Sequence, residues 1–113
     1  MVTITGSVSA DEILKIMAEY TSQDPPANVI WDFSASTVEQ LNSEAMRKIS
    51  LATSIYGEVR RGGKTAMVFS KNHDENFLHS LKEHARIYDY AFEYRVYTQL
   101  IEAIDWIANP ERR

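Results

Sequence analysis

The carboxylate with the most chemical promise in this sequence is Asp32. It interrupts the apolar run Val29, Ile30, Trp31, Phe33 and is followed by the hydroxyls of Ser34, Ser36 and Thr37. In an open parallel sheet the carboxyl ends of the strands face the crevice where ligands bind, so an acid and hydroxyls at such an end form a candidate polar site. The plainer alternative is an Asx-type turn in which Asp32 or Ser34 hydrogen-bonds the backbone and ends the strand. A second set is cationic: Arg60, Arg61 and Lys64 flank Gly62 and Gly63. Three cations so close can steer an anion or an acidic partner, or can simply keep an exposed glycine turn soluble. Gly62-Gly63-Lys64-Thr65 has the ending of a phosphate-binding loop, but Glu58 stands where its first glycine belongs. Lys64 moreover leads into a strand-like run rather than a helix, which removes the amide cradle that a phosphate needs.

Covalent and metal chemistry gain little from the remaining residues. The chain has no cysteine, so disulfides, thiolate nucleophiles and thiolate metal ligands are excluded. Its three histidines, His73, His79 and His84, are six and five positions apart, whereas ligands on one helix face recur about every three or four residues. The reading is therefore no metal, no cofactor and no catalytic residue. His79 lies between Glu75 and Glu83 at helical spacing, which favours surface ion pairing. An enzyme ranks third among the functional readings. It would need Asp32 to meet Lys64 or a histidine as an acid and base pair.

Positioning these residues requires regular elements. Val2 to Thr5 alternates as an edge strand ending at Gly6. Ser9 and Glu12 form a capping box ahead of a helix whose stripe is Ile13, Met17 and Tyr20 with Ala10 and Leu14, ended by Asp24-Pro25-Pro26. Val29 to Phe33 is apolar on both faces, as a central strand should be, and Ser34 to Thr37 reads as a turn. A second helix from about Ser43 to Tyr56 carries Ala45, Ile49, Ala52 and Tyr56, flanked by Met46 and Ile55. Thr65 to Phe69 is a second central strand. Ser70 or Asn72 caps a third helix with Phe77, Leu81, Ala85 and Tyr88 in line and Asp74, Lys82 and Arg86 on the wet face. Phe92 to Tyr97 is an edge strand with Glu93 and Arg95 outward, and Thr98 caps a last helix faced by Leu100, Ile104 and Ile107 with Ile101.

Strands alternating with helices through short connections imply an α/β fold, a mainly parallel sheet of four or five strands with helices on its faces. A length of 113 residues and an apolar fraction of 44% suit one domain, 1–113, with a polar tail from about 109. No run approaches the roughly 20 apolar residues of a membrane span, and the first residues do not form a basic-then-apolar leader, so the expected compartment is the cytoplasm. A net charge of -4 without a basic stripe argues against nucleic acid.

The element order resembles the STAS-like family of sulphate transporters and anti-sigma-factor antagonists, and more closely the small bacterial proteins of the SpoIIAA-like fold. The stretches that carry the likeness are Val29 to Ser34, Gly62 to Ser70 and YRVYTQLIEAIDWI from Tyr94 to Ile107. The resemblance implies a non-enzymatic regulatory or interaction module that binds a partner protein or a small ligand. Antagonists of that family carry Asp-Ser-Ser-Gly at the start of the helix after the second long strand, with the second serine phosphorylated. Here Asn42, Ser43, Glu44 and Ala45 stand there, so Ser43 is the hydroxyl left at the helix start and Glu44 replaces the modified one. A likeness to lipid-transfer CRAL-TRIO-type domains implies the alternative, a carrier of a small apolar ligand, with Met46, Met67 and Phe77 as lining. The late aromatics Tyr88, Tyr90, Phe92, Tyr94, Tyr97 and Trp106, together with the expected edge strand, suggest a surface for a homodimer or a docking partner. The ligand-binding or partner-binding candidates are Asp32, Ser34, Ser43, Arg60, Arg61 and Lys64.

Overall fold

Four parallel strands in the order β1-β2-β3-β4 form the sheet. The computed structural model of the chain describes residues 1–22, 24–70 and 75–108. In chain order the elements are β1 (Val2–Ser7), α1 (Ala10–Thr21), β2 (Asn28–Thr37), α2 (Ser43–Gly57), a single 3-10 turn (Glu58–Arg60), β3 (Lys64–Val68), α3 (Glu75–Tyr88), β4 (Glu93–Tyr97) and α4 (Leu100–Ala108). Each strand lies beside its predecessor and every crossover is right-handed by default. A same-handed crossover repeated in one direction delivers its helix to the same face each time, so α1, α2 and α3 form one layer. α4 follows the last strand and has no crossover to make. It folds back to cover β2, β3 and β4 from the opposite side.

The two faces have separate cores. Towards the three helices, Val29, Trp31 and Phe33 of β2 meet Ile13 and Met17 of α1, Ala45 and Met46 of α2, and Leu81 of α3. Towards α4, Ile30, Ala66 and Val68 meet Leu100, Ala103, Trp106 and Ile107. Alternation along β2 thus explains why its run is apolar on both sides. Aromatic rings carry much of the first core. Trp31 stacks on Phe33 at 5.8 Å, Phe33 on Phe69 at 5.1 Å, and Phe77 meets Phe69 edge-on at 5.5 Å.

The expected mainly parallel α/β architecture with four helices is the one found. The capping box is present, with Ser9 Oγ accepting from the Glu12 amide at 3.3 Å, and Asn42 Oδ1 caps α2 by accepting from the Ala45 amide at 2.9 Å. Three expectations are corrected. Ser34 to Thr37 continues β2, because the longer β1 supplies ladder partners: Thr5 pairs with Ala35, Gly6 with Ser36 and Ser7 with Thr37. Ile55 of α2 is 63% exposed; Ala45, Met46 and Ser50 are the buried residues of that helix's inward face, and the expected Ile49, Ala52 and Tyr56 pack against the same core. On α4 the buried side is Ala103 and Trp106, while Ile101 and Ile104 are 71% and 46% exposed. A small alanine lets the helix approach the sheet and the indole fills the gap beside it, so the isoleucines turn outward. Asn72 as a cap, His73, Asp74 and the polar tail from 109 lie outside the described residues.

Candidate functional site

Between the sheet and the three-helix layer lies a partly open cavity of about 60 Å³. Its sheet-side floor includes Trp31, Phe33, Thr65, Met67, Phe69 and Tyr94, and its roof includes Met17 and Tyr20 of α1 with Met46, Ser50 and Thr53 of α2. Met46, Met67 and Phe77, named from sequence as lining for an apolar ligand, all line it. The walls are mostly apolar, yet two buried hydroxyls, Thr65 Oγ1 and Tyr94 OH, have no hydrogen-bond partner among the described residues. Their residues are paired across β3 and β4, so both project from the same stretch of sheet. A buried polar group without a partner costs about 1–3 kcal/mol, which marks this floor as unfinished.

Arg60 closes the cavity at the amino-terminal end of β3. It is only 4% exposed. Its Nε donates to Pro26 O at 3.0 Å, and Nη2 donates to Ala27 O at 3.2 Å and to Lys64 O at 2.9 Å. The guanidinium sits 4.8 Å from the Phe92 ring centre and 5.9 Å from that of Tyr20. Among the described residues no carboxylate pairs with it; the ion pairs found are Arg61 with Glu58 and Arg86 with Glu83. Burial lowers the Arg60 pKa, an effect that the neighbouring Tyr20 opposes. Burial likewise raises the pKa of Tyr20 against the pull of Arg60. Tyr90 and Tyr94 are raised by burial too, Tyr90 in spite of hydrogen bonding to Ser50 and Thr53.

At the opposite, carboxyl end of the strands an open groove of about 650 Å³ is lined by hydroxyls and amides, among them Ser34, Thr37, Asn42, Ser43 and Ser80. Leu41, Met46 and Phe77 line both groove and cavity. These three side chains are therefore the wall between an outer space of mixed polarity and an inner apolar one.

The six residues singled out from sequence fall at two ends of the sheet. Ser34 and Ser43 reach the groove. Asp32 stands in β2 on the side facing α4, where its Oδ1 accepts from the Ser34 amide at 3.0 Å and from Ser34 Oγ at 2.6 Å. That is the Asx-type contact, made here inside a strand that continues. The cation cluster is not a solvated connector. Arg60 is buried, Arg61 is tied to Glu58 at the surface, and Lys64 Nζ lies 5.0 Å over Trp106 and 3.4 Å from its carbonyl oxygen.

Asp32 and Lys64 do not meet. Asp32 pairs with Val68, four residues along β3 from Lys64, which is about 13 Å at strand rise. Lys64 opens a strand, as a phosphate loop would not allow. His79 and His84 lie on α3, beyond the sheet from Asp32; His84 Nδ1 is 2.7 Å from Ser80 O, and the close partner of Glu83 is Arg86 rather than His79. Among the described residues no group of three His, Asp or Glu side chains could hold a metal ion. Sequence reasoning missed Arg60 as a buried group and Tyr20, Tyr90 and Thr65 as cavity walls. Periodicity could have placed Thr65 on the face shared with Met67; nothing local marks Arg60 as the arginine that turns inward.

The late aromatics do not form an exposed patch. Phe92 and Trp106 are buried and Tyr88, Tyr90, Tyr94 and Tyr97 are half-buried. The exposed apolar side chains lie elsewhere, with Leu51, Ile55 and Val59 forming a stripe at helical spacing. No described helix is long and apolar enough to cross a membrane. A scan against protein-family models, a search of curated proteins and a search of solved structures each return no match to this chain.

Proposed function

We propose that this chain is a non-enzymatic binding module whose ligand is a small amphiphile, held in the cavity beneath the helix layer and reaching into the groove at the carboxyl edge of the sheet. The observation that carries this reading is the shared wall of Leu41, Met46 and Phe77 between an apolar interior and a hydroxyl-lined exterior. A ligand with one apolar and one polar part matches two such spaces, since concave, mostly apolar sites with few polar groups are the usual form of small-molecule sites. The STAS-like element order supports a regulatory setting, and the apolar lining supports the carrier alternative; both use the same pocket.

The cavity as it stands is well below the roughly 150 Å³ that admits benzene. Loading must therefore repack side chains, and Met17, Met46 and Met67 are unbranched thioethers able to do so. Native mass spectrometry of freshly purified protein tests the reading, together with thermal shift against a panel of small amphiphiles. We expect a co-purifying adduct or at least one stabilising compound, with Met46→Trp abolishing the effect. Clean apo protein, together with a panel that produces no shift, refutes it.

A second reading, docking of a protein partner, is favoured by the exposed stripe of Leu51, Ile55 and Val59 along α2 and the turn after it. Native lysate passed over immobilised protein should then yield a partner that a Leu51→Glu, Ile55→Glu variant does not retain.

A further inference from the structure

We infer that the ligand class is an organic monocarboxylate, seated with its carboxylate against Arg60 and its apolar part running along β3 towards Phe77. This rests on the proposed binding in the cavity but places the charged head at the Arg60 end of the sheet, so that the far end of the ligand, rather than its charged head, approaches the groove. An arginine that is 4% exposed and has no carboxylate partner among the described residues is a buried cation short of a counter-ion, an arrangement that proteins seldom leave uncompensated. Carbonyl dipoles from Pro26, Ala27 and Lys64 occupy Nε and Nη2. Tyr20 hydrogen-bonds the guanidinium as well, so at most one of the five hydrogens that the group offers is left over.

Two further donors stand on the same stretch of wall. Thr65 follows Lys64, whose carbonyl holds Arg60, and pairs with Tyr94 on the neighbouring strand; both hydroxyls are buried and unpartnered. One cation and two hydroxyl donors suit an acceptor with two oxygens and one negative charge. A neutral alcohol would leave the charge unmet, and a doubly charged phosphate would exceed the single cation. The cavity surroundings fit the rest of such a molecule. Thr65 and Phe69 both line the cavity, and the distance between them along the strand is about 13 Å, bordered by Met67, Phe33 and Phe69. This path ends at the wall formed by Leu41, Met46 and Phe77.

Octanoate and 1-octanol, matched in chain and different in head group, are the probes. Titration would be followed by calorimetry and by the fluorescence of Trp31, which lines the cavity. Octanoate is expected to bind at least about tenfold more tightly than the alcohol, the scale of one charge-assisted hydrogen bond. Arg60→Met should abolish that preference. Because this variant also removes structural bonds and costs stability, Tyr94→Phe and Thr65→Val provide an independent route. Each removes an unpaired buried hydroxyl and should leave the free protein as stable or more so, yet weaken octanoate severalfold with little change for octanol. A merely structural role for the hydroxyls would not split the two probes.

Equal binding of acid and alcohol, or an unchanged preference in Tyr94→Phe and Thr65→Val, overturns the carboxylate assignment and leaves the amphiphile reading standing. Failure of both probes and of the wider panel overturns both. Two water molecules bridging Thr65 and Tyr94 in a crystal structure, undisplaced by octanoate at saturating concentration, would also sink the assignment.

Discussion

Replacing Phe69 by alanine should be among the most damaging single changes in this chain. Phe69 is 1% exposed, stacks on Phe33 at 5.1 Å and receives Phe77 edge-on at 5.5 Å, so it links the end of β3 to both β2 and α3. Truncating a buried phenylalanine costs about 3–5 kcal/mol through lost transfer energy and the void left behind. Two aromatic pairs, each worth about 0.5–1.5 kcal/mol beyond their area, place this site at the upper end, near 4–5 kcal/mol. For a domain of this size each kcal/mol moves the midpoint by about 4 °C, so the melting temperature should fall by about 16–20 °C. Urea denaturation followed by circular dichroism measures the free-energy loss, and a thermal melt checks the shift. The void joins the existing cavity, so benzene should restore part of the lost stability in the variant and do little for the parent. A loss under about 2 kcal/mol, with no response to benzene, would show that Phe69 does not hold the helix layer to the sheet and that the cavity is not where it is described.

Neighbouring arginines should behave very differently. Arg60→Met breaks three bonds to backbone carbonyls and should cost about 2–4 kcal/mol in urea melts, whereas Arg61→Ala, at an exposed ion pair with Glu58, should change stability by no more than about 0.5 kcal/mol. Comparable losses in the two would mean that Arg60 is not buried. Gly63→Ala would drive a methyl into the carbonyl oxygen of Ala27, forcing the β2 and β3 entries apart at a cost of about 1–3 kcal/mol; a variant as stable as the parent would contradict that close approach. Tyr20, Tyr90 and Tyr94 have pKa values raised by burial. In the unfolded chain they lose protons near the ordinary tyrosine value of about 10 while the folded chain keeps them. Stability is therefore fully present below that pH and declines as pH rises above it, by up to about 1.4 kcal/mol per pH unit for each tyrosine. Tyrosinate absorbance should rise together with loss of circular dichroism; ionisation of all three in a chain that stays folded would refute their burial.

The sequence alone determined the order and type of the elements, because each depends on short-range rules that operate within a few residues. The run at Val29 to Phe33, apolar on both faces, the capping box at Ser9 and the glycines before Lys64 are local patterns, and local patterns survived folding. The parallel sheet followed from them through the handedness of crossovers. Decisions between faces were made by the tertiary structure. Ile55, Ile101 and Ile104 are as apolar as the residues beside them, and only the space between packed layers decided that Met46, Ala103 and Trp106 went in while they stayed out. Ser34 to Thr37 became strand because a longer β1 offered hydrogen-bond partners that no window on β2 could reveal. Arg60 differs from Arg61 by one position. Which of the two is drawn inward depends on carbonyls contributed by Pro26 and Ala27, more than thirty residues away, and on rings from Tyr20 and Phe92. The candidate site combines groups from β2, β3, β4, α1, α2 and α3, so it exists only once those elements have packed.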